Sequence, residues 1–133
     1  MNSPAIDIKD YLLAKSAEST SDLELVYGTN LFVSILPETN NLCAAIMDTP
    51  GSPPEPNNIR MTTVQVLVRG KQGQYETAWD FIERIVNELH EVSNVAINST
   101  SYLQIWKFGD IHHAGNDEKT RPVFSCTLAI QRT

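Results

Sequence analysis

Residues 62–89 read TTVQVLVRGKQGQYETAWDFIERIVNEL and carry the clearest structural pattern in the chain. Val64, Val66 and Val68 alternate with other, mostly polar residues, which is the period-two pattern of a half-buried strand. After the basic segment GKQG at 70–73, apolar residues recur every three or four positions, as in an amphipathic helix. The apolar stripe consists of Tyr75, Ala78, Trp79, Phe81, Ile82, Ile85, Val86 and Leu89. The stretch therefore predicts a strand, a tight turn and one long helix, around which the rest of the chain is organised.

The length and composition of the chain fit a single domain over residues 1–133, which is long enough to bury a core. Hydrophobic residues make up 41% and charged residues 20%, which argues against a disordered or membrane-embedded chain. No basic region followed by an apolar one is found at the start, so no secretory signal is predicted and synthesis in the cytoplasm is expected. Cys43 and Cys126 lie in separate apolar runs, so we expect two buried free thiols.

The net charge of −6 is confined to the first part of the chain. Residues 1–58 contain eight acidic and two basic side chains, whereas eight of each follow from Arg60 onward. Tight nucleic-acid binding needs clustered Lys and Arg and is not predicted. The distribution fits a protein that contacts DNA without holding it, or one with an acidic surface that faces a basic partner.

Other runs predict a second helix and four more strands. Ser3 and Pro4 resemble an N-cap and first helical residue, so a helix is expected over residues 4–17. Residues 31–36 and 42–47 are predicted to form strands joined as a hairpin, and residues 102–108 and 123–130 two further strands. The predicted fold class is α+β, with a mostly antiparallel sheet of about five strands, one long helix packed on a face and a shorter N-terminal helix.

Two long polar segments separate these elements. Residues 48–58, DTPGSPPEPNN, contain four prolines and predict an extended surface loop that is either a passive crossover or a contact arm. Residues 109–122, GDIHHAGNDEKTRP, are too polar to bury and predict a second loop.

No catalytic or metal-binding pattern emerges from the sequence. There is no GxSxG nucleophile elbow, and GKQG lacks the Lys-Ser/Thr pair that a phosphate-binding loop requires. His112 and His113 are adjacent, so their side chains tend to diverge, and a solvated loop explains them better than a metal site. We therefore predict no catalytic residue, no metal, no cofactor and no enzymatic activity, and favour a binding or structural protein.

Three segments together resemble the tail terminator, or minor capsid, proteins of long-tailed, siphovirus-type bacteriophages. They are LFVSILPETNNLCAAIMDTPGSPPEP at 31–56, VQVLVRGKQGQYETAWDFIERIVNELH at 64–90 and TRPVFSCTLAIQR at 120–132. The matching features are the DTPG turn at 48–51, the Arg-Gly pair after the valine strand, Tyr75 and Ala78 at the start of the helix, Gly109 with Asp110, and Arg121, Pro122 and Phe124 before and in the last strand. A glycine is expected where Pro50 stands, and Asp110 usually lies closer to the arginine.

The resemblance implies a virion protein that forms a homo-oligomeric ring, usually a hexamer, at the head-proximal end of the tail tube. Such a ring stops tube polymerisation and joins the tube to the head connector or stopper protein, and DNA passes transiently through its lumen without sequence-specific contact. Assembly would take place in the host cytoplasm, with no membrane involved. The assembled ring would lie at the head–tail junction of the particle. The alternatives are a head–tail connector adaptor or, from a different class, a small cytoplasmic ligand-binding domain or enzyme.

Subunit and partner contacts are predicted in the two loops and at one strand end. Arg69 ends the valine strand on the face opposite the valines, where an ion pair or a partner contact is expected. The complete set of predicted contact residues is Arg69, Asp48, Pro53, Pro54, Asp110, His112, His113 and Arg121.

Overall fold

A computed structural model describes residues 1–49 and 59–133, which form two helices and seven strands. In chain order these are α1 (Pro4–Ser16), β1 (Leu31–Val33), β2 (Cys43–Thr49), β3 (Arg60–Arg69), α2 (Tyr75–Leu89), β4 (Val92–Ile97), β5 (Thr100–Lys107), β6 (His112–Asn116) and β7 (Pro122–Arg132). Among them, no helix is long and apolar enough to cross a bilayer.

All seven described strands belong to one sheet, in the order β1-β2-β3-β7-β5-β4, with β6 also paired to β7. Strand β7 is the centre of this arrangement. On one side it pairs antiparallel with β3 along ten residues, from Val123 to Arg132. On its other side, β6 pairs with the first part of β7 and β5 with the last part. Three strands thus depend on β7 for their place in the sheet.

The predicted fold class is wrong in several respects. The sheet is mixed, because β1 runs parallel to β2 with Leu31 opposite Ala44, and it contains seven strands and not five. Helix α2 has 15 residues and α1 has 13, so the predicted contrast between one long and one short helix is absent. The predicted hairpin between the first two strands is also wrong. Ser34 adopts a positive φ of 68° directly after β1, and the chain then loops back so that β2 starts beside β1 and runs in the same direction.

Two of the seven strands were not predicted. In the β4 segment VSNVAI only Ile97 is buried, and β6 lies within residues 109–122, for which the sequence predicts a loop. Both strands pair with a single neighbour among the described residues, so their side chains are not forced into an alternating apolar and polar pattern. Edge strands of this kind leave a weak signal in the sequence.

Helix α1 begins as its sequence predicted, with Ser3 as N-cap and Pro4 as the first residue. The Ser3 hydroxyl accepts a hydrogen bond from the Ile6 N–H at 3.4 Å. A second cap comes from β2, because the Asp48 carboxylate accepts a bond from the Ala5 N–H at 2.9 Å. The helix start is therefore fixed to the sheet as well as to its own N-cap.

Both helices pack on one face of the sheet. Ala5, Ile8 and Leu12 of α1 join most of the apolar stripe of α2 and the three predicted valines of β3 in a single core. Tyr75, the first residue of the predicted stripe, is instead 49% exposed. Burial of each large aliphatic side chain in such a core contributes about 1.5–3 kcal/mol. The other face of the sheet has no described helix on it, and there Gln65 donates a hydrogen bond to the Ser125 hydroxyl at 2.8 Å.

The turn between β3 and α2 brings the helix close to the strand end. A Cβ atom at Gly70 would lie 2.6 Å from the Ala78 Cβ, so only glycine permits this approach without a shift of the backbone. Gly73 has a φ of +77°, a left-handed conformation that also favours glycine. Residues 70–73 therefore form the predicted tight turn.

The core position of Ile82 gives a direct test of the α2 packing. Ile82 is fully buried, so an Ile82→Asp substitution places a carboxylate in an apolar core and should lower the free energy of unfolding by more than about 4 kcal/mol, a large part of the stability of a typical domain. Circular dichroism with thermal melting measures the loss, and Glu83→Gln on the exposed side of the same helix is the matched control. An Ile82→Asp protein with an unchanged melting curve would contradict this packing.

Candidate functional site

Two buried arginines meet one aspartate where β3 ends and β7 begins. The Arg121 Nε donates to the Asp117 Oδ2 at 2.8 Å, and the Arg69 Nε lies 3.9 Å from the same oxygen. Arg69 and Arg121 are each only 5% exposed. Since such pairs are poorly screened by water, the shared carboxylate is the main compensation for two buried positive charges.

Asp117 also organises the turn that carries Arg121. Its Oδ1 accepts hydrogen bonds from the backbone N–H of Lys119 at 3.0 Å and of Arg121 at 2.8 Å, while Thr120 adopts a positive φ of 56°. Burial alone would raise the pKa of the Asp117 carboxyl, but the bonds from Arg121 and Lys119 and the Arg121 charge hold that pKa below its ordinary value. The ionised carboxylate is therefore the form that the turn stabilises.

The same arginines hold the segment between β1 and β2. The Arg69 Nη2 donates to the carbonyl oxygens of Pro37 and Asn40, and the Arg121 Nη1 donates to that of Glu38 at 2.8 Å. The Arg69 Nη2 also lies 3.7 Å from the Sγ of Cys43, which is buried and unpaired as predicted. Three separate parts of the chain are joined at this end of the sheet.

Four basic side chains gather here, and we call Arg69, Lys71, Lys119 and Arg121 the basic end. A cavity of about 240 Å³ is lined by Lys71, Lys119 and Arg121 together with two amide side chains, Asn41 and Gln72. A neighbouring cavity of about 250 Å³ shares Lys119 and Arg121 but is also lined by the acidic residues Glu38, Asp117 and Glu118. Positive charge is thus concentrated in the first cavity.

A second arginine–aspartate cluster lies where β7 ends. Asp7 of α1 is fully buried and accepts hydrogen bonds from the Tyr102 hydroxyl and from the Asn98 amide at 2.9 Å. The Arg132 Nη1 lies 3.4 Å from the Asp7 Oδ2 and donates to the Tyr102 oxygen at 3.1 Å and to the Asn2 carbonyl at 2.9 Å. Burial, with the bond to Asp7, raises the pKa of the Tyr102 hydroxyl well above its ordinary value. This cluster joins α1 to the sheet.

The predicted contact residues occupy different parts of the fold. The structure brings Arg69 and Arg121 together around Asp117, and it places Asp48 at the start of α1. Asp110 is highly exposed, with its carboxylate 4.0 Å from the Lys107 Nζ.

His112 and His113 lie in β6, where both are exposed, and the His113 ring lies 5.2 Å from the ring centres of Tyr75 and Phe124. Pro53 and Pro54 lie outside the described residues.

Sequence reasoning missed the aspartates that compensate these arginines. In the sequence, Asp117 is one of several charged residues in the polar segment 109–122, and Asp7 is one of eight acidic residues in the first part of the chain. An aspartate between the buried residues Ala5 and Ile8 was the available signal at position 7, but its partner Arg132 lies 125 residues away.

Comparisons with known proteins identify the family. The sequence model of the bacteriophage tail terminator proteins matches residues 14–133. A chain in the solved structure "Virion of native gene transfer agent (GTA) particle" has a similar fold, with a TM-score of 0.59 and 8% sequence identity, over 79% of each chain. A search of curated proteins found no match.

The chain belongs to the bacteriophage tail terminator proteins. It is therefore a structural protein of the phage tail, a component of the virion and not an enzyme. The resemblance drawn from the sequence is confirmed, and the alternative of a small enzyme is wrong.

Replacement of Asp117 tests the cluster at the start of β7. Asp117→Asn leaves two buried guanidinium groups without their carboxylate, and should lower the free energy of unfolding at pH 7 by about 1–3 kcal/mol. The folded-state pKa of Asp117 is depressed, so its contribution is complete above the unfolded pKa of about 3.9 and is lost as the pH falls through the lower folded value. The stability gap between the two proteins should therefore close below about pH 4.

Denaturant unfolding between pH 7 and pH 3 measures this gap, with the exposed Asp110→Asn as control. A gap that stayed constant over the whole pH range would show that the Asp117 charge has no part in stability.

Replacement of Tyr102 tests the cluster at the end of β7. Tyr102→Phe removes the hydroxyl that donates to buried Asp7 and accepts from Arg132, and should lower the free energy of unfolding by about 1–3 kcal/mol. Thermal melting measures the effect, and Tyr27→Phe at a 53% exposed position is the control. Equal melting temperatures for both variants would contradict a stabilising role for this network.

Proposed function

We propose that the chain assembles into a hexameric ring that caps the head-proximal end of the tail tube. The ring stops tube polymerisation, joins the tube to the head connector and lets DNA pass through its lumen. Subunits are made and assembled in the host cytoplasm before they enter the particle. The observation that carries this proposal is the match of residues 14–133 to the bacteriophage tail terminator proteins. The likeness in fold to a chain of a solved gene transfer agent virion agrees with a place in such a particle.

The open sheet supports assembly with other chains. Strands β4 and β6 each pair with one neighbour among the described strands, which leaves their second edges available for contacts with another protein. A closed ring needs head-to-tail contacts between two different surfaces of each subunit. The sheet edges, the sheet face that carries no described helix and the basic end supply several distinct surfaces.

The residues selected from the sequence enter this proposal in two ways. Asp110, His112 and His113 are exposed near the β6 edge and are proposed to contact a partner directly. Arg69, Arg121 and Asp48 are proposed to act by holding loops and the start of α1 in the shape that a partner meets. That Pro53 and Pro54 belong to a contact arm stays a prediction.

The charge distribution supports the passage of DNA without tight binding. All of the net charge of −6 comes from residues 1–58. Acidic groups that face the lumen would repel the phosphate backbone and prevent the genome from adhering to the ring.

The experiment is an assembly assay with the purified chain and its tail tube protein. Native mass spectrometry and negative-stain electron microscopy should show rings of six subunits, free or at one end of each tube, and added protein should arrest tube growth. A protein that stayed monomeric at all concentrations and also failed to bind tubes would contradict the proposal. Binding to the connector but not to the tube would assign the chain to the adaptor position instead.

A further inference from the structure

We propose that the basic end of one subunit docks on the acidic outer side of α2 of a second copy of this chain. This proposal rests on the homo-oligomeric ring proposed above and specifies one of its interfaces. The recognised chemical group is a carboxylate, and the partner is another subunit.

The cavity at the basic end is built to receive an anion. Lys71 and Lys119 are exposed, whereas Arg121 is nine-tenths buried and fixed by Asp117 and Glu38. No acidic residue lines this cavity among the described parts of the chain, and Asn41 and Gln72 add amide donors. Lys and Arg bind carboxylates through charge-assisted hydrogen bonds, of which the rigid Arg fork is the more selective.

A second buried arginine, Arg69, lines the neighbouring cavity and adds to the positive charge at this end of the sheet. The Arg69 Nε is buried and makes no hydrogen bond, and its distance of 3.9 Å from the Asp117 Oδ2 is too long for one. Asp117 already accepts from Arg121 and from two backbone N–H groups. One carboxylate thus serves two guanidinium groups, and the site gains stability from a further anion nearby.

The outer side of α2 supplies the complementary charge. It carries the exposed residues Glu76, Asp80 and Glu83, with half-buried Glu88 at its flank, and none of these carboxylates lies in an ion pair within the described structure. Arg84 on the same helix donates instead to the carbonyl oxygens of Asp80 and Asp22, at 3.3 and 3.1 Å.

The last turn of α2 contains no basic residue. Glu88 in this turn faces the negative end of the helix dipole, which is unfavourable unless a cation pairs with its carboxylate. A basic surface from outside the subunit removes that penalty.

The part of this acidic side that lies farther along α2 is too distant to reach the basic end of its own subunit. Lys71 precedes α2, whereas a rise of about 1.5 Å per residue places Glu83 about 12 Å and Glu88 about 20 Å along the helix from Tyr75. Contact between copies therefore joins two different surfaces of the same chain. Such heterologous contacts generate a ring when the rotation closes.

Charge reversal on each side tests the interface. We expect Lys71→Glu/Lys119→Glu and Glu83→Lys/Glu88→Lys each to weaken self-association by about tenfold or more, because like charges then face each other. An equimolar mixture of the two variants should associate again, since native surfaces pair with native ones and reversed surfaces with reversed ones. Lys9→Glu/Lys15→Glu on α1, with the same change in net charge as the first variant, should associate as the wild type does.

Sedimentation velocity over a concentration series, with and without tail tubes, measures association, and circular dichroism confirms that every variant folds. If the wild type and Lys71→Glu/Lys119→Glu formed rings equally well, this interface would be wrong and the proposed function would still hold. A wild-type protein that forms no ring even on tubes would overturn the proposed function, and this interface with it. Normal ring formation by Lys71→Glu/Lys119→Glu with a loss of duplex DNA binding, measured by fluorescence anisotropy, would assign the basic end to nucleic acid and also overturn the proposal.

Discussion

The pairing of a buried arginine with an aspartate at each end of β7 is the constraint on which the rest of the sheet depends. Arg121 directly precedes the strand and contacts Asp117, and Arg132 ends it and contacts Asp7. Desolvating a buried ion pair costs free energy. Such a pair therefore favours the one geometry in which its charges and hydrogen bonds are satisfied. Because β7 forms ladders with three other strands, fixing its two ends also fixes their register.

The two clusters lie at opposite ends of β7 and stabilise different parts of the molecule. The Asp7 cluster attaches α1, most of which lies before residue 14 and therefore outside the match to the tail terminator proteins. Its partners Tyr102 and Arg132 lie inside that match. The Asp117 cluster instead gathers surface segments, and it places lysines beside a buried guanidinium. One end of the sheet completes the core, and the other presents charge to the outside.

The sequence predicted those elements whose signal is local. The alternating valines of β3, the α2 stripe and the Ser3–Pro4 helix start each depend on neighbours within a few residues, and the structure contains all three. The strands β4 and β6 escaped prediction because exposed edges do not enforce alternation. The direction of β2 depends on the left-handed conformation of Ser34. Serine rarely adopts a positive φ, so the sequence does not indicate this conformation.

The candidate site was predictable only in part, because its pairs are distant in sequence. Arg69 and Arg121 were selected separately, one as a strand end and one through the family resemblance. That they share Asp117 follows only from the pairing of Arg69 with Val123 across β3 and β7. The link between Asp7 and Arg132 spans nearly the whole chain, and no periodicity encodes it.

The burial of Cys43 and Cys126 has a consequence for the chemistry of the particle. Burial raises the pKa of both thiols, although the positive charges of Arg69 and Arg121 partly offset the effect at Cys43. A protonated, inaccessible thiol reacts slowly with oxidants and with disulfides. A tail component with such cysteines can leave the reducing interior of a cell without forming disulfides to its neighbours. Its thiols become reactive only when local unfolding of the sheet exposes them.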